Sequence, residues 1–101
     1  MEIATKSSGT SVDIIITGVI KTILDGQSIK ETVSEIYKQD VQRLISLHIK
    51  DSFIMTSSII GFLIKAIQVD KMALSVYAYS DELYTMLEDM SLIESMNVRK
   101  G

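Results

Sequence analysis

Two hydrophobic periodicities alternate along the chain, and few folds accommodate such an alternation. Apolar residues that run together or recur at every second position indicate strands at Met1–Ala4, Val12–Ile20, Arg43–Ile49 and Leu74–Tyr79. Apolar residues at helical spacing indicate amphipathic helices at 28–39, at 57–68 and after Ser80. The expected order is therefore β-β-α-β-α-β-α, and strands alternating with helices predict βαβ units in a mostly parallel sheet.

Local signals predict where the elements begin. Ser28 and Glu31 have the spacing of a capping box, so the first helix is expected to begin at Ser28, after a break at Asp25-Gly26. The polar segment Lys6–Ser11 is expected to link the first two strands. Ser80-Asp81 offers a cap for the last helix.

These features predict an α/β fold with one domain over residues 1–101, a length typical of a single domain. The sheet is expected to be mixed or mostly parallel, with about four strands and three main helices on one face. The other face should then display the polar and aromatic positions of two strands, which are Ser46, His48, Ser75, Tyr77 and Tyr79.

Composition excludes several classes of protein. The chain has no cysteine, so a disulfide framework and a thiolate metal site are absent. The net charge is −3, and the ten lysines and arginines form no basic stripe, so a nucleic-acid partner is not expected. The longest uncharged stretch, Ser52–Ile64, has thirteen residues, whereas a spanning helix needs about 20. We therefore expect a cytoplasmic protein without direct membrane insertion.

Signals for catalysis are weak. His48 is the only histidine, and neither a second histidine or cysteine nor a serine–acid pair is expected beside it. The glycines Gly18, Gly26 and Gly61 are isolated, so there is no phosphate-cradling loop. Because a catalytic site needs several converging groups, the sequence predicts no enzyme, no metal site and no cofactor.

The hydroxyl residues Thr56-Ser57-Ser58 lie where a loop leads into the second helix. One interpretation is an ordinary helix cap. The other is a phosphorylation site, because the free N–H groups and positive dipole end of a helix N-terminus stabilise a phosphate ester. The residues leave both interpretations open.

Two segments resemble the STAS domain family. Leu47–Ile64, which reads LHIKDSFIMTSSIIGFLI, resembles a family segment that reads roughly L-x-L-x-x-(V/L)-x-F-(I/M)-D-S-S-G-L-G-x-L-L. Val76–Leu92 is similar to the family's final strand, cap and closing helix. The resemblance implies a curved mixed sheet with helices on one side, in agreement with the order predicted above.

The resemblance also implies a regulatory, protein-binding function. STAS domains include bacterial anti-sigma-factor antagonists, which bind a serine kinase that is also an anti-sigma factor and so release the sigma factor. The kinase phosphorylates the first serine of the D-S-S-G motif, and this phosphorylation lowers the affinity of the antagonist for the kinase. The matching phospho-acceptor here is Ser57, with Ser58 as its neighbour. The resemblance and the helix start together suggest a partner-binding surface made of Asp51, Ser52, Phe53, Met55, Thr56, Ser57, Ser58 and Ile59.

The chain departs from the motif at two positions. Thr56 replaces the motif's aspartate and supplies no carboxylate, while Ile59 replaces the first glycine. We expect Ile59 to place a branched side chain where glycine lets a partner's backbone approach. An alternative is therefore a constitutive scaffold or transporter-associated STAS subunit without a phospho-switch. Such a subunit could form a homodimer through His48, Tyr77 and Tyr79, since aromatic residues are enriched in interface cores.

Overall fold

The chain forms an α/β domain in which five strands are joined by three helices. The computed structural model describes all residues 1–101. Its elements, in chain order, are β1 (Glu2–Ser8), β2 (Ser11–Thr17), α1 (Ile23–Gln39), β3 (Leu44–Ile49), α2 (Ser57–Gln68), β4 (Leu74–Ala78), α3 (Asp81–Asp89) and β5 (Val98–Lys100). The predicted fold class is confirmed, with a fifth strand added after the last helix.

The strands lie in the sheet in the order in which they occur along the chain, β1-β2-β3-β4-β5. β1 and β2 form an antiparallel hairpin, whereas β2, β3, β4 and β5 are parallel to one another. A helix follows each of β2, β3 and β4, as parallel neighbours require a crossover connection. The sheet is therefore mixed but mostly parallel, as the sequence predicts.

One face of the sheet is buried and the other is only partly covered. Alternate residues of the three central strands belong to a single core with the apolar residues of the helices; these strand residues are Val12, Ile14, Ile16, Ile45, Leu47, Ile49, Leu74, Val76 and Ala78. The intervening residues point to the opposite side, here called the open face, and are partly exposed. This pattern agrees with helices on one side only.

Helix α1 begins five residues earlier than expected. Thr22 is its N-cap: the Thr22 side chain accepts the Asp25 N–H, and the Asp25 carboxylate accepts the Thr22 N–H. The predicted capping box at Ser28 is therefore wrong, because this earlier box already begins the helix. Ser28 is an interior helical residue whose carbonyl accepts the Thr32 hydroxyl at 2.8 Å. The predicted break at Asp25-Gly26 is part of the first helical turn.

Two strands end at other residues than expected, and one strand was not predicted. β1 continues to Ser8, so most of the predicted polar link is strand, and the hairpin turn is limited to Gly9 and Thr10. β2 ends at Thr17 rather than Ile20, because Gly18 adopts a left-handed φ of 84°. β5 has only three residues, of which Val98 alone is buried, and so gives little periodic signal. None of the three helices combines the length and apolarity needed to cross a membrane.

Candidate functional site

The hydroxyl residues lie at the N-terminus of α2, which begins at Ser57 as predicted. Thr56 is the N-cap, and its Oγ1 accepts the Ile59 N–H at 3.3 Å. Ser57 and Ser58 are the first two helical residues, and both side chains are exposed. A hydroxyl that a partner or a kinase can reach is therefore present where the loop from Asp51 leads into α2, a region here called the corner.

The loop before α2 is held to the loop after β2 by two side chains. Asp51 Oδ2 accepts the Gly18 N–H at 2.7 Å. Ser52 Oγ accepts the Ile20 N–H at 3.1 Å and donates to the Ile54 carbonyl at 2.8 Å. Ser52 is fully buried. Both residues therefore position the corner through contacts within the chain.

The structure corrects part of the predicted partner-binding surface. Ser52, Met55 and Ile59 are buried, with exposed fractions of 0%, 6% and 0%. Their side chains lie inside the domain beneath the corner, so a partner cannot contact them. Ile59 in particular packs against Gly26 of α1 instead of facing a partner. The exposed or partly exposed members of the predicted set are Asp51, Phe53, Thr56, Ser57 and Ser58.

Sequence reasoning included Phe53 in the predicted surface but missed the exposed apolar residues at the start of α1. Four large apolar side chains are exposed on the first turn of α1 and on the loop before α2, two segments that the hydrogen bond from Ile20 to Ser52 joins. They are here called the corner patch: Ile23 (81%), Leu24 (71%), Phe53 (47%) and Ile54 (40%). Ile23 lines a cavity of about 190 Å³ together with Thr56 and Ser58. The capping box at Thr22 is the sequence signal that could have predicted the exposure of Ile23 and Leu24, since it places both residues in the first turn of α1.

The start of α2 carries the partial positive charge of the helix dipole. The first turn of α2 contains no acidic residue, whereas that of α1 contains Asp25 and that of α3 contains Asp81 and Glu82. The positive end of the α2 dipole is therefore not neutralised. Lys30 of α1 adds a cation, and its Nζ donates a hydrogen bond to Ser58 Oγ. No carboxylate lies within 4.0 Å of this ammonium group.

A second group of polar side chains converges on the open face, around His48. Its Nε2 lies 3.0 Å from Asp13 Oδ1, and its Nδ1 lies 2.8 Å from the Tyr79 hydroxyl. The imidazole stacks on Tyr77, with 4.8 Å between ring centroids. The predicted placement of His48, Tyr77 and Tyr79 on one face is confirmed. The contact of Asp13 with His48 was not predicted, because the two residues are 35 positions apart and only the pairing of β2 with β3 brings them together.

Comparison with known proteins leaves the family open. The chain matches no protein-family model, and no curated protein matches it. The STAS resemblance accordingly depends on the residues of Leu47–Ile64 and Val76–Leu92, together with an element order compatible with that fold.

Proposed function

We propose that this protein is a regulatory binding module similar to the anti-sigma-factor antagonists. Its corner patch docks on a serine kinase that is also an anti-sigma factor, and Ser57 is the phospho-acceptor that controls the affinity. The observation that supports this most strongly is the position of the exposed Ser57 hydroxyl within one corner that also carries four exposed apolar side chains.

The corner patch favours a protein partner. Exposed apolar residues that are scattered singly are ordinary on a protein surface, whereas a group of them rimmed by polar residues is typical of an interaction site. Here Ile23 of the patch lines one cavity with Thr56, Ser58 and Lys30, next to Ser57 in the chain. Phe53 supplies an aromatic anchor of the kind that contributes much of the binding energy in protein interfaces.

The same geometry accommodates a phosphate. A phosphoserine adds about −1.5 to −2 charges, which a helix N-terminus stabilises and an apolar interface does not. The first turn of α2 contains no acidic residue, which favours phosphorylated Ser57 in the free protein, and the ammonium group of Lys30 lies at the neighbouring Ser58. In the complex, the added charge would have to be desolvated. Phosphorylation therefore weakens docking without refolding the domain.

The proposal is tested by mapping phosphate and by measuring capture of the native partner. We expect mass spectrometry of the protein from its own cells to place phosphate on Ser57. Ser57→Asp and Phe53→Ser should weaken capture by about tenfold or more, corresponding to about 1.4 kcal/mol. Ser57→Ala should retain capture.

A matched control lies at the other end of the same helix. Val69 is 67% exposed at the C-cap of α2, far along the helix from the corner. Val69→Ser removes a similar exposed apolar side chain and should leave capture unchanged. If Val69→Ser and Phe53→Ser weaken capture equally, the corner is not the docking surface.

An alternative is a constitutive scaffold or transporter-associated subunit that binds by the same corner without a switch. Two observations favour it: Thr56 supplies a hydroxyl where the motif has a carboxylate, and Ile59 is committed to the core. In this case Phe53→Ser weakens capture while Ser57→Asp does not, and Ser57 carries no phosphate.

The alternative includes a homodimer through the open face. His48 and Tyr77 form a stacked pair there, and Tyr79 is exposed at its edge. Light scattering of the wild type and of a Tyr77→Ala/Tyr79→Ala variant tests this arrangement. Identical monomeric masses for the two proteins would exclude self-association through this face.

A further inference from the structure

We propose that Tyr79 is a second modification site: its hydroxyl accepts a phosphoryl group from a small anionic donor such as an acyl phosphate, with His48 as the base. This site lies on the open face of the sheet and is independent of the corner at α2. The observation that carries it is the continuous arrangement of carboxylate, imidazole and phenol formed by Asp13, His48 and Tyr79.

The hydrogen-bond directions follow from the groups involved. A carboxylate only accepts hydrogen bonds, so His48 Nε2 carries the proton and donates it to Asp13 Oδ1 across 3.0 Å. In the neutral imidazole, Nδ1 is then a free acceptor, and the Tyr79 O–H donates to it across 2.8 Å. This is the arrangement that activates hydroxyl nucleophiles: a base in contact with the hydroxyl and a third group that orients the base.

Stacking holds the imidazole in this orientation. Tyr77 lies against the His48 ring at 4.8 Å between centroids, with an angle of 15° between the planes. Only 17% of the His48 side chain is exposed. Tyr79 is more open, with an exposed fraction of 36%. Asp13 is a positioning residue that acts through His48.

The charges around Tyr79 favour an anionic donor. Lys50 Nζ lies 3.8 Å from the centroid of the Tyr79 ring, in a cation–π contact. Lys6 and Lys50 line a cavity of about 190 Å³ with Asp13, His48 and Tyr79, so two ammonium groups outnumber the one carboxylate there. Neither lysine has a carboxylate within 4.0 Å, because the only ion pair in the chain is His48–Asp13. Two unpaired ammonium groups suit the oxygens of a transferring phosphoryl group.

The transfer balances within these groups. The Tyr79 oxygen forms a bond to phosphorus, and its proton moves to His48 Nδ1. The bond between phosphorus and the acyl oxygen breaks, and the carboxylate leaves with the electron pair. The imidazolium is stabilised by the Asp13 carboxylate and then releases its proton to solvent. The products are phosphotyrosine and a free carboxylate.

The chain contains an internal control for the effect of the base. Tyr84 also lies near an ammonium group, with Lys100 Nζ 5.0 Å from its ring centroid, but it has no imidazole beside it. We expect acetyl phosphate to phosphorylate Tyr79 at least about tenfold faster than Tyr84, at the low end of what general-base catalysis contributes. Mass spectrometry of the wild-type protein measures both sites in one sample.

Variants identify the roles of the other residues. His48→Gln should abolish the advantage of Tyr79 over Tyr84. Asp13→Asn should reduce this rate advantage, whereas Asp13→Glu, which keeps the carboxylate, should retain most of it. A purely structural role for Asp13 would not require a carboxylate. Circular dichroism checks that each variant is folded. Equal rates at Tyr79 and Tyr84, phosphate on His48, acetyl instead of phosphate on Tyr79, or an unchanged rate in His48→Gln would each overturn the proposal.

Discussion

Gly26 of α1 lies directly against Ile59 of α2. A β-carbon built on Gly26 would stand 3.3 Å from Ile59 Cγ1 and 3.4 Å from its Cδ1. The absence of a side chain at Gly26 therefore leaves room for an isoleucine where the STAS motif has glycine. Because Gly26 and Thr56 line the same corner cavity, this contact also sets how closely α1 approaches the serines.

A double-mutant cycle tests this contact. Gly26→Ala should lower the free energy of unfolding by about 1 kcal/mol, because the overpacking outweighs the gain in helix propensity. With Ile59→Ala in the background, the added methyl meets no isoleucine, and Gly26→Ala should become neutral or stabilising. Urea titrations of the four proteins measure the coupling. Effects that add to within about 0.5 kcal/mol would show that the contact is not tight.

The electrostatics of α2 predict opposite effects of one charge at its two ends. Ser57→Asp places a carboxylate at the positive end of the helix and should raise the free energy of unfolding by about 0.3–1 kcal/mol. Val69→Asp places the same group at the negative end and should lower it by a similar amount. Thermal unfolding at low ionic strength measures both. The same sign for both variants would contradict an unneutralised dipole at the corner.

The buried hydroxyl of Ser52 should matter more for stability than the exposed hydroxyl of Ser57. Ser52→Ala leaves the buried N–H of Ile20 without an acceptor, which costs about 1–3 kcal/mol. Ser57→Ala removes an exposed group and should change the free energy of unfolding by less than about 0.5 kcal/mol. Urea denaturation of both variants makes the comparison. Similar losses would mean that Ser52 does not hold the corner.

The capping box of α1 predicts a specific dependence on acid. The backbone N–H groups of Lys21 and then Thr22 donate to the Asp25 carboxylate and hold its pKa below the ordinary value of 3.8. Since folding lowers this pKa, the stabilisation is present above the unfolded value and is lost as the pH falls through the folded one. The difference in melting temperature between wild type and Asp25→Asn should therefore shrink below about pH 3.8. A difference that stays constant into acid would contradict this.

Features that repeat over a few residues could be predicted from the sequence. The alternation of strand and helix periods predicted the element order up to α3, the start of α2 at Ser57 and its end at Gln68, and the shared face of His48, Tyr77 and Tyr79, but not β5. These predictions succeed because period-2 and period-3.6 patterns express which side of each element is buried. The one local error with large effect was the start of α1, where two capping boxes competed and Gly26 suggested a break.

The candidate sites depend on contacts between segments that are distant in the chain. Gly26 is tolerated inside a helix because it packs against Ile59, and Ser52 is buried because it accepts the N–H of Ile20. The Asp13–His48 pair exists because β2 and β3 are parallel and in register. Local periodicity carries no information about such pairings, since they arise from packing between elements. The order of the elements up to α3 could therefore be predicted from the sequence, whereas the contacts that define both sites depend on how those elements pack against one another.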